Sequence, residues 1–191
     1  MRTMPRTHED APLVAASRRG ERAAYETLVR RHARAAARLA HRLLGNREDA
    51  EDVVQDAFAK AFVNLGTFRE EASFRTWLLH IVMHLCHDQL RRRERRGPTL
   101  GLDGVEPTTP DAGPGRDAQA RDELRSLREA VDALPPRQRA ALVLKVVEGL
   151  PYDEVARALG TTVESARVYL SLARQSIRRR VERAARRRGE S

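Results

Sequence analysis

The chain has 191 residues, with 36 Lys and Arg against 27 Asp and Glu, a formal net charge of +9 and a sequence pI near 10.9. A surplus of this size favours an acidic partner, nucleic acid ahead of an anionic membrane, and the length allows one domain or two small ones. The single Cys86 can form no internal disulfide, no apolar run approaches the ~20 residues that span a bilayer, and the first eight residues lack the hydrophobic core of an export signal, so a soluble, cytoplasmic protein is expected. Only Lys60 and Lys145 are lysines, so arginine abundance has a compositional reading beside a functional one. Aromatic residues make up 4% of the chain and strand-type alternation is absent, which predicts small helical domains rather than a sheet core.

Residues 1–9 are polar and expected to be disordered. Asp10 is placed to cap a short helix through Arg19, with Leu13, Val14 and Ala16 as its apolar members and Gly20 as its stop. A longer helix from Glu21 to Leu44 carries Ala24, Leu28, His32, Ala35, Leu39 and Leu43 along one face and ends at Gly45-Asn46. His32 and His41 belong to no evident constellation. The next helix starts near Glu48, with Val54, Phe58, Ala61, Phe62 and Leu65 at helical spacing and an acidic stripe of Asp49, Asp52 and Asp56, with Gln55, on another face. After a turn around Gly66 to Ala72, a helix from Ser73 sets Phe74, Trp77, Leu78, Ile81 and Leu85 on one side and His80, His84, His87 and Arg91 on the other. The run from Arg91 to Arg96 has five arginines and one glutamate, which suits the negative end of a helix dipole and a phosphate backbone alike. Together these elements predict an all-α four-helix bundle over residues 10–96.

From 97 to 120 the periodicity stops and Gly, Pro, Thr and Asp dominate. This is read as a flexible acidic linker, with Asp103, Glu106, Asp111 and Asp117 against Arg116. Extended, it would reach ~80 Å, enough for two turns of DNA. A second helical domain is expected over 121–183. Leu124, Leu127, Val131 and Leu134 mark one helix face, Pro135-Pro136 divides it from an apolar helix holding Leu142, Leu144, Val146 and Val147, and Gly149 stops that one. Tyr152 to Leu159, a turn at Gly160, and a helix opened by a capping box from Thr161 to Glu164 make a helix-turn-helix. In the last helix Val163, Ala166, Leu170, Ala173 and Ile177 face the core, leaving Ser165, Arg167, Val168, Tyr169, Ser171, Leu172 and Arg174 to solvent or DNA. Residues 184–191 close the chain as a basic tail.

The runs DAEDVVQDAF (Asp49 to Phe58) and FREEASFRTWLLHIVMHLCHDQLRRR (Phe68 to Arg93) resemble region two of bacterial RNA polymerase sigma factors of the extracytoplasmic-function class. The segment from Leu134 to Arg178 is similar to their region four. The resemblance implies a subunit that binds core RNA polymerase, recognises promoter DNA and promotes strand opening, with no catalytic residues, cofactor or metal of its own. It assigns Asp49, Asp52, Gln55 and Asp56 to a basic surface of the polymerase. It assigns Phe68, Arg69, Glu71, Ser73, Arg75, His80, His84, Arg91 and Arg92 to the downstream promoter element, where the turn after Phe68 and the helix that follows it hold an extruded base. Thr162, Ser165, Arg167, Val168, Tyr169, Ser171 and Arg174 fall to the upstream element. The chain departs from the family pattern at Glu70, His84, Pro151, Tyr169 and Leu172. An inhibitory anti-sigma factor is a further partner the resemblance allows.

Three other classes stand beside this reading. An autonomous helix-turn-helix regulator with a helical sensing domain would share the second domain but bind duplex operator tightly without polymerase. A helical adaptor would have no need of two basic helix ends. A metal enzyme built on His80, His84 and His87 lacks the glutamate of a zincin motif and a third ligand at characteristic spacing. An acidic face in a basic, DNA-binding chain gains nothing from DNA, so it is expected to meet a basic protein surface.

Overall fold

The computed structural model describes residues 9–69, 71–96 and 118–189, and within them the chain is helical. The first unit holds α1 (Ala11–Arg18), α2 (Arg22–Leu44), α3 (Arg47–Val63), a 3-10 turn (Leu65–Thr67) and α4 (Phe74–Arg96). The second holds α5 (Ala118–Asp132), α6 (Pro136–Leu142) continued by a π turn (Val143–Val147), α7 (Tyr152–Leu159) and α8 (Val163–Gly189). Most of the expected linker and the departure at Glu70 lie outside the described residues, but 118–120 are the first turn of α5 rather than tether. The expected basic tail continues α8 through Gly189.

In the first unit α2, α3 and α4 pack pairwise and α1 lies across α2. The apolar face expected of α2 is buried throughout, and Leu28, Leu39, Leu78 and Leu79 have no exposed surface. Each such side chain stabilises the fold by about 1.5–3 kcal/mol. Gly45 ends α2 in the left-handed region, and Asn46 opens α3 by accepting a hydrogen bond from the Asp49 amide at 3.2 Å. Phe62, expected in the core, is half exposed at the rim and meets Tyr25 edge-on at 4.9 Å.

The beginning of α1 also departs from expectation. Asp10 caps nothing. Its carboxylate turns inward to His32, whose Nε2 donates across 2.8 Å, and to Arg31 at 2.5 Å. Burial pushes the Asp10 pKa up, but His32 and Arg31 outweigh it and hold the group below the usual carboxylate range. His32, which the sequence left without a role, is thus half of a buried pair that ties α1 to α2. At the other end of α1, Arg18 donates to the carbonyls of Leu65 and Phe68 and anchors the turn that leads into α4.

In the second unit α6 and α7 pack on α8, and α5 runs against it. The core face expected of α8 is in place, with Ala166, Leu170 and Ala173 buried. The cap that opens α8 is Thr162, whose Oγ1 accepts from the Ser165 amide at 3.1 Å, one residue later than the expected capping box. Leu124 and Leu127 of α5 and Val146 and Val147 of the π turn, all expected on apolar faces, are exposed.

The two units are not held apart. Ala140, Leu144, Val155 and Leu159 of the second belong to one continuous buried cluster with Leu39, Phe74, Leu78 and Val82 of the first. Helix α7 lies along α4, and α6 meets α2. Arg139 of α6 donates to the Arg42 and Leu43 carbonyls at 3.3 Å, placing a cation at the negative end of α2.

Candidate functional site

Helix α3 turns its apolar side, including Ala50, Val53, Ala57 and Ala61, into the bundle. That rotation leaves Asp52, Gln55 and Asp56 exposed, and none of the three has a hydrogen-bond or ion-pair partner among the described residues. Asp49, placed in the same stripe from sequence, behaves differently. It is half-buried, accepts from Gln89 at 3.1 Å and pairs with Arg93, so its carboxylate joins α3 to the basic end of α4. The structure therefore brings Asp52, Gln55 and Asp56 together as a free acidic surface one to two turns along from Asp49.

The start of α4 is built by a short network. Ser73 is buried and its Oγ accepts from the Thr76 amide at 3.1 Å, which caps the helix. Phe68 is buried too, its ring 5.0 Å from that of Trp77 and edge-on to Phe74 at 6.1 Å. Trp77 is half-buried and Phe74 fully so. Phe68 and Ser73 therefore shape the turn from inside, while Arg69 and Glu71 stand on its outer surface. Thr67, Phe68, Arg69, Glu71, Ala72, Thr76, Trp77, His80 and Arg157 line a small recess there, of about 240 Å³.

His80 and His84 follow on the same side of α4, their rings 4.4 Å apart and edge-on. Burial and the neighbouring His80 lower the His84 pKa, with Asp88 opposing. His84 is thus a neutral imidazole at neutral pH, offering one donor and one acceptor. Arg91 and Arg92 extend the surface, both exposed. Cys86 sits on the buried side, its thiol pushed up to about 12 by burial, so it offers no thiolate for chemistry. No group of three His, Cys, Asp or Glu among the described residues is arranged to hold a metal ion.

What the sequence did not foresee is that part of this surface is covered. Arg75 and Arg38 both reach Glu148 of the second unit. Thr76 donates to the Glu154 carboxylate, His80 Nδ1 donates to the Ala158 carbonyl at 3.2 Å, and Arg157 donates to the Glu71 carbonyl at 3.2 Å. Gly160, in the left-handed conformation that the helix-turn-helix needs, faces the His80 ring, where a Cβ would lie 3.4 Å from it. An acidic residue at the end of an apolar run, as Glu148 is, was the one available signal for these contacts.

On the second unit the upstream candidates form an open strip. Arg167, Val168, Ser171 and Arg174 are exposed along α8, with Thr162 at its start and Ser165 half-buried beside it. Arg167 lies over the Tyr152 ring at 5.4 Å, and Tyr169, half-buried, accepts from Arg137 at 3.4 Å. Pro151 leads into α7 with no side-chain cap.

Comparison with known proteins agrees with this architecture. The family model for sigma-70 region 2 matches residues 28–96, and that for sigma-70 region 4 matches 124–186. The chain is 39% identical over 170 residues to the ECF RNA polymerase sigma factor SigM of Mycobacterium tuberculosis, covering 86% of this chain and 83% of that protein. It is 30% identical over 181 residues to the ECF RNA polymerase sigma-E factor of Escherichia coli, covering 91% and 94%. Among solved structures, CnrH in complex with the cytosolic domain of CnrY superposes with a TM-score of 0.68 at 27% identity, over 91% of this chain and 97% of that one. The two region matches on two helical units, together with relatives aligned over most of their length, place the chain in the sigma-70 family as a sigma factor of the extracytoplasmic-function class.

Proposed function

We propose that three surfaces divide the work of transcription initiation: the α3 stripe holds core RNA polymerase, and the basic surfaces of α4 and α8 hold promoter DNA. The observation that carries this is the stripe itself. Asp52 and Asp56 are exposed and have no partner among the described residues in a chain of net charge +9, although arginines are abundant enough to have paired with them. Exposed charge held without an internal partner, set on a rigid helix, complements a basic protein surface and repels DNA. Asp49 supports the stripe by fixing α3 to α4.

The turn after Phe68 and the adjoining face of α4 are proposed to hold bases of the downstream element once the strands part. Unstacking a base costs a few kcal/mol, which stacking and hydrogen bonds in a recess offset. Arg69, His84, Arg91 and Arg92 are the exposed groups available for this, with Phe68 and Ser73 shaping the recess from beneath. Arg167, Val168, Ser171 and Arg174 are proposed to lie in the duplex of the upstream element, as the second helix of a helix-turn-helix does. Such a subunit works in the cytoplasm, needs no cofactor and has no catalysis of its own. No described helix is long and apolar enough to cross a membrane. CnrH was solved with the cytosolic domain of CnrY, and a protein partner is likewise a candidate for this chain, an anti-sigma factor being the kind that the family resemblance allows.

Fluorescence anisotropy of a labelled promoter duplex tests the reading. The chain alone is expected to bind it poorly, and the chain with core polymerase tightly. Tight, polymerase-independent binding would favour the autonomous regulator instead.

A further inference from the structure

Glu148 is unusual among the acidic residues of this chain. Its side chain has no solvent exposure, yet it faces the other unit, with Arg38 Nε 2.7 Å from Oε1, Arg38 Nη2 2.9 Å from Oε2, and Arg75 also on Oε2. A buried carboxylate is expensive unless cations and hydrogen bonds surround it, and two guanidinium groups supply both. Burial pushes the Glu148 pKa up, but Arg38 and Arg75 outweigh it, so the group stays ionised. A planar guanidinium that grips two oxygens of one anion suits a phosphate as well as a carboxylate. Arg75 lies at the start of α4, within the surface proposed for DNA, and Arg38 is half exposed on neighbouring α2. The cleft around this anion site also carries Arg31, which is paired with Asp10, and Arg34, with Glu9 and Glu154 on its wall, so Arg38 and Arg75 are the cations that meet the anion directly.

We infer that Arg38 and Arg75 form a binding site for a DNA phosphodiester, and that Glu148 occupies this site from within the chain whenever the two units are packed together. The inference rests on the DNA-binding role proposed above for α4. The remaining contacts across the interface fall on the same surface: Thr76 with Glu154, His80 with the Ala158 carbonyl, and Arg157 with the Glu71 carbonyl. Departure of the second unit therefore frees Arg75, His80 and the turn at Glu71 together. Packed units and bound backbone compete for one pair of arginines, which makes the closed chain a poor ligand for DNA and the opened chain a good one.

The test uses the full chain. Small-angle X-ray scattering reads opening, and anisotropy of a labelled single strand of about 20 nucleotides reads binding. Glu148→Gln keeps the shape of the side chain and removes its charge, and is expected to enlarge the radius of gyration and tighten strand binding at least fivefold. Glu26→Gln makes the same change of net charge on an exposed part of α2 and is expected to do neither. Arg38→Gln breaks the same contact from the other side. It is expected to open the chain as well, but to bind the strand more weakly than Glu148→Gln, with a salt slope smaller than that variant's by about 0.7, the value for one phosphate on a single strand. A purely structural contact would make Glu148→Gln and Arg38→Gln behave alike. The inference is overturned if Glu148→Gln stays compact with parental affinity, or if Arg38→Gln gains as much affinity as Glu148→Gln does. Core-dependent promoter binding by the parent, read in parallel, separates the two levels: if it is present while Glu148→Gln changes nothing, only the phosphate-site inference falls, and if it is absent, the function and the inference fall together.

Discussion

The acidic stripe of α3 and the basic start of α4 belong to the same bundle, yet they present themselves in opposite ways. Asp52 and Asp56 stand in solvent with no partner among the described residues, whereas Arg75, Thr76 and His80 are engaged by the second unit. The difference lies in what lies opposite each face. Nothing in the described chain packs on the outer side of α3, while α7 runs along α4 and brings Glu148, Glu154 and Arg157 with it. The surface proposed for polymerase is thus ready in the isolated chain, and the surface proposed for DNA is in part withheld. For a subunit that must find polymerase before it meets a promoter, this order of availability is the useful one.

The largest effect is expected at α3. Reversing both Asp52 and Asp56 to Arg sets like charges against a basic surface, which costs several kcal/mol. Core binding measured by surface plasmon resonance is expected to weaken at least a hundredfold while far-ultraviolet circular dichroism stays native. Parental affinity in the double variant would remove the stripe from the interface. Asp49→Asn is the sharper companion: because its carboxylate is spent on Gln89 and Arg93, it is expected to lower thermal stability more than core affinity.

A smaller effect is expected at the pair that fixes α1. Asp10→Asn leaves His32 and Arg31 with an imperfect partner in a buried setting and is expected to cost about 1–3 kcal/mol in urea unfolding. The pH dependence has a definite sign. The Asp10 pKa is lower in the folded chain than in the unfolded one, so its contribution is complete above the usual carboxylate range and is lost as pH falls through the depressed value. Between neutral pH and that acid range the variant is expected to show a flatter stability profile than the parent. Identical slopes would mean that folding does not depress the Asp10 pKa.

Which parts of this could be read from the sequence follows from the range of each signal. The faces of α2 and α8 were legible because burial repeats at helical spacing, and Leu28, Leu39, Ala166 and Leu170 all lie where the period puts them. The stop at Gly45 and the turn at Gly160 were legible because a left-handed residue favours glycine. Asp10 with His32, and Glu148 with Arg38 and Arg75, were not. Those partners are 22, 110 and 73 residues apart, and no local period records them. Asp10 before a short helix also reads as a cap, a reading the structure replaces with an inward ion pair. The same limit made His80 look like a residue of an open surface. Helical periodicity and its break over 97–120 supplied the two-unit architecture, and the family resemblance the candidate DNA residues, but neither supplied the contact between the units.

His84 gives the smallest and most local prediction. It is exposed beside His80 and held neutral. If it meets a base, His84→Asn is expected to shift the preferred base at one position of the downstream element by about 1 kcal/mol, the lower end for a direct contact. A promoter library randomised across that element and transcribed by the reconstituted enzyme would read the shift. His41→Asn, on the far part of α2, serves as the control. An unchanged preference would leave His84 as an ordinary solvated residue.

The central claim is that this chain directs core polymerase to start at promoters. Run-off transcription with purified core enzyme on fragmented genomic DNA of the source bacterium tests it most directly. The account predicts discrete transcripts that appear only when the chain is added, begin downstream of a shared two-part element, and vanish with the Asp52→Arg and Asp56→Arg double variant. Transcripts that are the same with and without the chain would contradict it.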